Sequence, residues 1–215
     1  YQQFGNPEPF DLIGKTISFS PDGGVQPPPP VPQETYLSIG DDDDAYVQLG
    51  FDFPYYGNQY QGVYVNSDGN LTLGMGYGVT AKRNVEHFLS KAPRIAVLYA
   101  DLDPSAGGAV SYRHDDATTV TISYTAVPIW GSSGSNTARV TLEASGAITL
   151  AYDNLVLSSA IIGVSGGGQG NQGTPMDLAA LMGASWNYGQ QGGVFAIYNS
   201  GDPFSLMGQS VTFLP

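Results

Sequence analysis

The 215-residue chain has no cysteine, 7 Lys and Arg against 19 Asp and Glu, and only 2 His. Without cysteine there is no disulfide framework, no zinc–thiolate site and no thiol catalysis. A formal charge of −12 leaves too few cations to neutralise phosphates. Nucleic-acid binding and attachment to anionic lipid headgroups are therefore excluded on electrostatic grounds. No run approaches the ~18 apolar residues that cross a bilayer as a helix, so membrane insertion is not expected. Charged residues make up 12% of the chain, a low share that leaves the surface polar chiefly through neutral groups. Glycine (29), proline (15) and tyrosine (14) are plentiful instead, the composition of a secreted β-protein. A first residue other than Met, Tyr1, adds the expectation of an exported chain whose signal segment has been removed.

The chain repeats itself at its two ends. PFDLIGKTISFSP at 9–21 matches PFSLMGQSVTFLP at 203–215, with Phe10, Leu12, Gly14, Phe19 and Pro21 recurring as Phe204, Leu206, Gly208, Phe213 and Pro215. Each copy alternates β-branched and aromatic residues before a terminal proline, the pattern of a strand that cannot continue. Thirteen residues are too few for a solenoid repeat, so the simplest reading is two equivalent strands that meet the same core or the same neighbour. After the first copy comes DGGVQPPPPVPQ at 22–33, where Pro27, Pro28, Pro29 and Pro30 favour polyproline II and exclude a central sheet position. At about 3.1 Å per residue this stiff spacer reaches on the order of 35 Å. Residues 1–33 are thus expected to be a strand-and-spacer arm, and 34–215 a separate domain.

That domain is written in short strands. VYVNSDGNLTL at 63–73 is a hairpin around an SDGN turn, and RIAVLYA at 94–100 is a continuous apolar run expected to be fully buried. Further strands are expected at 109–113, 118–124, 137–143, 147–152, 160–164 and 194–198. This spacing, without alternating helices, predicts an all-β fold, an antiparallel sandwich or barrel, of which the antiparallel β-sandwich is the expected one. Two short helices are expected to cover sheet ends: 84–90, and 174–182, where Thr174 caps, Pro175 opens and Asp177 follows.

Four ordered segments carry a family likeness: FDFPYYGNQY at 51–60 with VYVNSDGNLTLG at 63–74; PRIAVLYADLDP at 93–104; GGAVSYR at 107–113; and NTARVTLEASGAITLAY at 136–152 leading to IIGVS at 161–165. Together they resemble the nidogen-like extracellular domain, and the DLDPSAGG and FDLIGK stretches are similar to segments of large secreted bacterial surface proteins. The resemblance implies a non-catalytic module used in matrix or cell-surface contacts, with no fixed catalytic residues. Animal members sit beside cysteine-rich modules, which this chain lacks.

Several constellations invite chemistry. GVSGG at 163–167 spells the G-x-S-x-G elbow around Ser165, yet His87 and His114 both precede it and the context is an antiparallel strand. GQGNQG at 168–173 spells G-x-G-x-x-G, but no acidic residue follows at the required distance, which favours a loop. Asp101 and Asp103 alternate at a strand end and offer hard oxygens to calcium, with Asp41 and Asp43 of the DDDD run as a weaker set. The alternative is that Asp41–Asp44 is a solvated loop and that Asp101 and Asp103 cap a turn through backbone N–H groups. Trp130 and Trp186 could stack a sugar. Asn70-Leu71-Thr72 is a glycosylation spelling.

The expected function is a secreted structural or adhesive protein that assembles with copies of itself through Phe10, Leu12, Ile17, Phe19 and the Pro27–Pro30 spacer, a head-to-tail contact that could build filaments. The alternative is a monomeric module binding a glycan or matrix protein. A secreted hydrolase using Ser165 ranks third.

Overall fold

A computed structural model describes residues 18–19, 25–26, 31–77, 83–156, 159–168, 172–181, 185–188 and 192–215. Residues 1–32 and 33–215 form two compact units. In the first, Ser18–Phe19 (β1) pairs antiparallel with Val25–Gln26 (β2), so the start of the spacer is a strand partner. The expected assembly residues Phe10, Leu12, Ile17 and Pro27–Pro30 lie outside the described residues, and Phe19 is in β1.

The second unit runs through Thr35–Leu37 (β3), Asp44–Tyr55 (β4), Asn58–Asn66 (β5), Asn70–Thr72 (β6), helix Val85–Ser90 (α1) and Arg94–Tyr99 (β7). Ala109–Asp116 (β8), Thr119–Val127 (β9), Asn136–Glu143 (β10), Ile148–Tyr152 (β11) and Ala160–Ser165 (β12) follow. Gly173–Pro175 (β13), Ser185–Asn187 (β14), Gly193–Tyr198 (β15) and Ser210–Leu214 (β16) complete it. These strands make two seven-stranded sheets, ordered β14-β16-β11-β10-β9-β8-β3 and β13-β15-β12-β7-β6-β5-β4. All neighbours are antiparallel except the two edge pairs β13–β15 and β14–β16. The fold is the all-β sandwich expected from the sequence.

Alternation decides which residues meet. From one sheet Val120, Ile122, Val140, Leu142, Leu150, Val211 and Phe213 point inward; from the other come Val47, Val63, Val65, Leu71, Ile95, Val97 and Ile162. All of β7 is buried because its outer face is covered too: Ala96 and Tyr99 join Ile161, Phe195 and Phe88 of α1 in a second cluster. α1 starts where the sequence predicts, with Asn84 Oδ1 accepting from His87 N–H at 2.9 Å.

The helix expected over 174–182 is corrected. Thr174 and Pro175 belong to β13, held by pairing with Val194 and Phe195 at a sheet edge where proline's missing N–H costs nothing. Only Leu178–Leu181 turns, as a 3-10 helix, with Asp177 rather than Thr174 capping it: Asp177 Oδ1 accepts from Ala179 N–H at 2.9 Å.

Core tyrosines tie the layers together. Tyr124 donates to Asn66 O at 2.7 Å and Tyr152 to Val97 O at 2.8 Å, each reaching from one sheet to the other. Tyr55, fully buried, donates to Arg94 O at 2.7 Å and accepts from Ser165 N–H at 3.1 Å. Tyr55→Phe should therefore lower stability by about 2 kcal/mol, because buried peptide groups lose their partner while the ring still fills its place. Urea unfolding checks this: the midpoint should fall at unchanged slope.

Candidate functional site

The most unusual chemistry lies around the β5–β6 turn. Outward-facing Asn66, Asn70, Thr72 and Arg94 are all buried, because residues 75–77 fold over them. Thr72 Oγ1 donates to Met75 O at 2.8 Å, Tyr77 N–H donates to Asn66 Oδ1 at 3.1 Å, and Tyr124 reaches Asn66 O from the other side. Gly69 makes the turn with φ +67, and a Cβ there would lie 2.2 Å from Leu98 O.

Arg94 has no solvent exposure. Its Nη1 donates to Asn70 Oδ1 at 2.6 Å, while its Nε and Nη2 have no hydrogen-bond partner. The charge sits instead between two ring faces, with the guanidinium carbon 4.8 Å from the Tyr77 centroid and 4.7 Å from that of Tyr99. Burial pulls its pKa down.

Beside it, Arg83 gathers carboxylates from three parts of the chain. Its Nε is 2.7 Å from Asp68 Oδ2, and its Nη2 is 2.9 Å from both Asp42 Oδ1 and Asp101 Oδ1. Asp68 is 2% exposed, and burial pushes its carboxyl up to about 7, against the opposing pull of Arg83. Asp41 belongs to the same field: desolvation first, then Asp103, Asp42 and Asp101, raise its pKa. A cleft of about 450 Å³ opens next to this cluster, lined by Arg83, Asn84, Tyr99, Asp101, Tyr198 and Asn199 among others.

The expected metal residues fall into this neighbourhood in a particular way. Asp101 faces the guanidinium of Arg83. Asp103 caps a turn, its Oδ1 accepting from Ser105 N–H at 2.9 Å and Ala106 N–H at 3.2 Å. Asp43 does the same, accepting from Gly40 N–H at 3.1 Å and Asp44 N–H at 2.9 Å. Among the described residues no group of three or more His, Asp or Glu is arranged to hold a metal ion.

Trp130 is 60% exposed, and its backbone N–H donates to Asp101 O at 2.8 Å, which puts it beside the acidic end. Trp186 stands on β14, half-buried, its Nε1 without a hydrogen-bond partner, and lines a different cleft of about 400 Å³ with Met176 and Thr174. The two indoles thus belong to separate places. Asn70 is buried and bonded to Arg94, so its glycosylation spelling is not a surface acceptor in the fold.

The elbow spelling around Ser165 has a packing origin. Ser165 has no solvent exposure and closes β12, a strand hydrogen-bonded on both sides, to β7 and β15. Gly163 has φ +141, and a Cβ there would lie 2.1 Å from Val194 O; at Gly167, φ +66, it would lie 2.4 Å from Lys91 O. Both glycines are required by close backbone approach, and the serine between them is closed off from solvent. Of the G-x-G-x-x-G loop at 168–173, residues 169–171 lie outside the described residues, and Gly173 opens β13.

Sequence reasoning missed Arg83, Asp68 and Arg94. The one local signal was the arginine opening an otherwise apolar strand at Arg94.

Among the described residues, no helix is long and apolar enough to cross a membrane. Comparison with curated proteins and with solved structures gives no match. Comparison with protein families does: residues 28–214 match the family described as NIDO related. This span takes in both sheets, the Arg83 cluster and the terminal strand β16, a longer stretch than the four motifs that suggested a nidogen-like domain, and it suggests an extracellular or structural module. By its sequence over that span and its all-β sandwich, the chain belongs to the NIDO-related family.

Proposed function

We propose that this chain is a secreted, non-catalytic structural or adhesive module of the matrix or cell surface that assembles with copies of itself through its N-terminal arm. One observation carries the reading. The second member of the terminal echo is β16, a strand whose Val211 and Phe213 are buried in the core. The first member, at 9–21, repeats that docking pattern on an arm with a stiff spacer. Family membership supports the extracellular setting, and the burial of Ser165 speaks against the hydrolase reading.

At −12 per chain, copies repel one another, so association is favoured by salt or by a divalent cation such as calcium. Light scattering of the full chain should show oligomers that grow with concentration and ionic strength. Deleting residues 1–33 should leave a folded monomer, with at least a tenfold loss of association. The same oligomer after deletion would refute the mechanism. Loss of oligomers on chelation would place calcium at the contacts. A monomer under every condition would favour the second reading, a glycan- or matrix-protein-binding module, for which exposed Trp130 is the supporting observation.

A further inference from the structure

In the C-terminal copy of the echo, the match can be judged position by position against structure. Phe204 packs on Tyr152 and Tyr198, with ring centroids 5.2 and 4.5 Å away. Leu206 is buried, Gly208 turns the chain with φ +70, and Val211 and Phe213 enter the core of the sandwich. The N-terminal copy has Phe10, Leu12, Gly14, Ile17 and Phe19 at the same five places. Gly14 keeps in sequence the glycine that makes the left-handed turn at Gly208.

The differences are as telling as the identities. The two copies change chemical character at Asp11/Ser205, Lys15/Gln209 and Ser20/Leu214, and in β16 and its approach Ser205, Gln209 and Leu214 are all exposed. Where the C-terminal copy is buried, the N-terminal copy stays apolar. Divergence that follows burial is what is expected of two segments able to fit one slot.

We propose that residues 9–21 of one chain enter a second copy in place of residues 203–215, pairing with β11 in the register of β16. This rests on the self-assembly reading above and names its acceptor. β16 is displaceable because it pairs with β11 over four residues and has only the three-residue β14 on its other side. The incoming strand offers the core the same apolar side chains that the resident strand withdraws. Exchange therefore costs the pairing of Ser18–Phe19 with Val25–Gln26 in addition to association, and it gains weight where chains are concentrated.

Disulfide capture tests this in the full chain, whose lack of cysteine removes any background. In β16, Thr212 Oγ1 lies 3.0 Å from Thr149 Oγ1, and Ser18 occupies the place of Thr212 in the echo. A Ser18→Cys chain mixed with a Thr149→Cys chain should give a linked dimer, accumulating even if the exchanged state is minor. Gln26→Cys in place of Ser18→Cys should give at least tenfold less. A Thr149→Cys/Thr212→Cys chain should close within itself, showing that this pair can bond. A second readout has opposite signs for the two copies. Val211→Ala weakens the resident strand and should raise capture roughly tenfold, whereas Ile17→Ala weakens the incoming one and should lower it. Oligomers by light scattering without capture, or the same sign for both alanine variants, would overturn the acceptor while leaving assembly standing. A monomer with no capture would overturn both.

Discussion

Replacing Gly163 with alanine should cost the domain at least ~4 kcal/mol and separate β12 from β15. Gly163 pairs with Phe195 and adopts φ +141, and its added methyl would lie 2.1 Å from Val194 O and 2.6 Å from Phe195 Cα. Those obstacles are backbone atoms of a buried strand, so no rotamer change relieves them. On the other side β12 pairs with β7 across a register shift between Ile161 and Gly163, which fixes the strand against sliding away. Gly57 supplies the comparison: it has φ +78 but no atom within 4 Å of its missing Cβ. Gly57→Ala should then cost only the backbone preference, about 1 kcal/mol. Paired urea titrations of the two variants separate strain from collision, and equal losses would remove the close approach as the reason for glycine at Gly163.

The second large effect is a pH slope governed by Asp68. Its carboxyl is held at about 7 in the fold, against about 3.9 for an unfolded aspartate, so between those values the native state keeps a proton that the unfolded chain has released. The unfolded state binds fewer protons there, and stability falls as pH rises through the window, by up to about 4 kcal/mol for this group. Asp68→Asn cannot ionise. It should match the parent near pH 4 and exceed it at pH 8, flattening the difference in unfolding free energy measured across that range. If the variant is instead less stable at pH 8, the ion pair to Arg83 outweighs the burial of the charge.

Much of the sandwich was legible because its strands obey period two. The runs that became β7 to β12, β15 and β16 alternate or are continuously apolar between clear turn residues. β4 was not among the expected strands: its first residue, Asp44, continues an acidic run that reads as a solvated loop, yet its backbone pairs with Asn66. The 174–182 helix failed for a similar reason: Thr174 and Pro175 spell a helix start locally, and a nonlocal partner, β15, claims their backbone. The site was less legible still. Arg83, Asp68, Asp42 and Asp101 are far apart in sequence and meet only after the sheet has formed, and no spacing rule connects them. Conversely, the glycines around Ser165 looked like chemistry because tight packing and nucleophile elbows demand the same residue.

The tyrosine hydroxyls that span the sandwich have a mechanical consequence. Apolar contact between two sheets is non-directional and resists separation better than it resists one layer gliding over the other. A hydroxyl bonded to a particular carbonyl is a pin at one position along the strand. Tyr124 on Asn66 and Tyr152 on Val97 are two such pins on different strand pairs, enough to block both translation and rotation of the layers. A domain loaded along its strands would thus transmit force from one sheet to the other through a rigid body, and would yield first at its single-bonded edges.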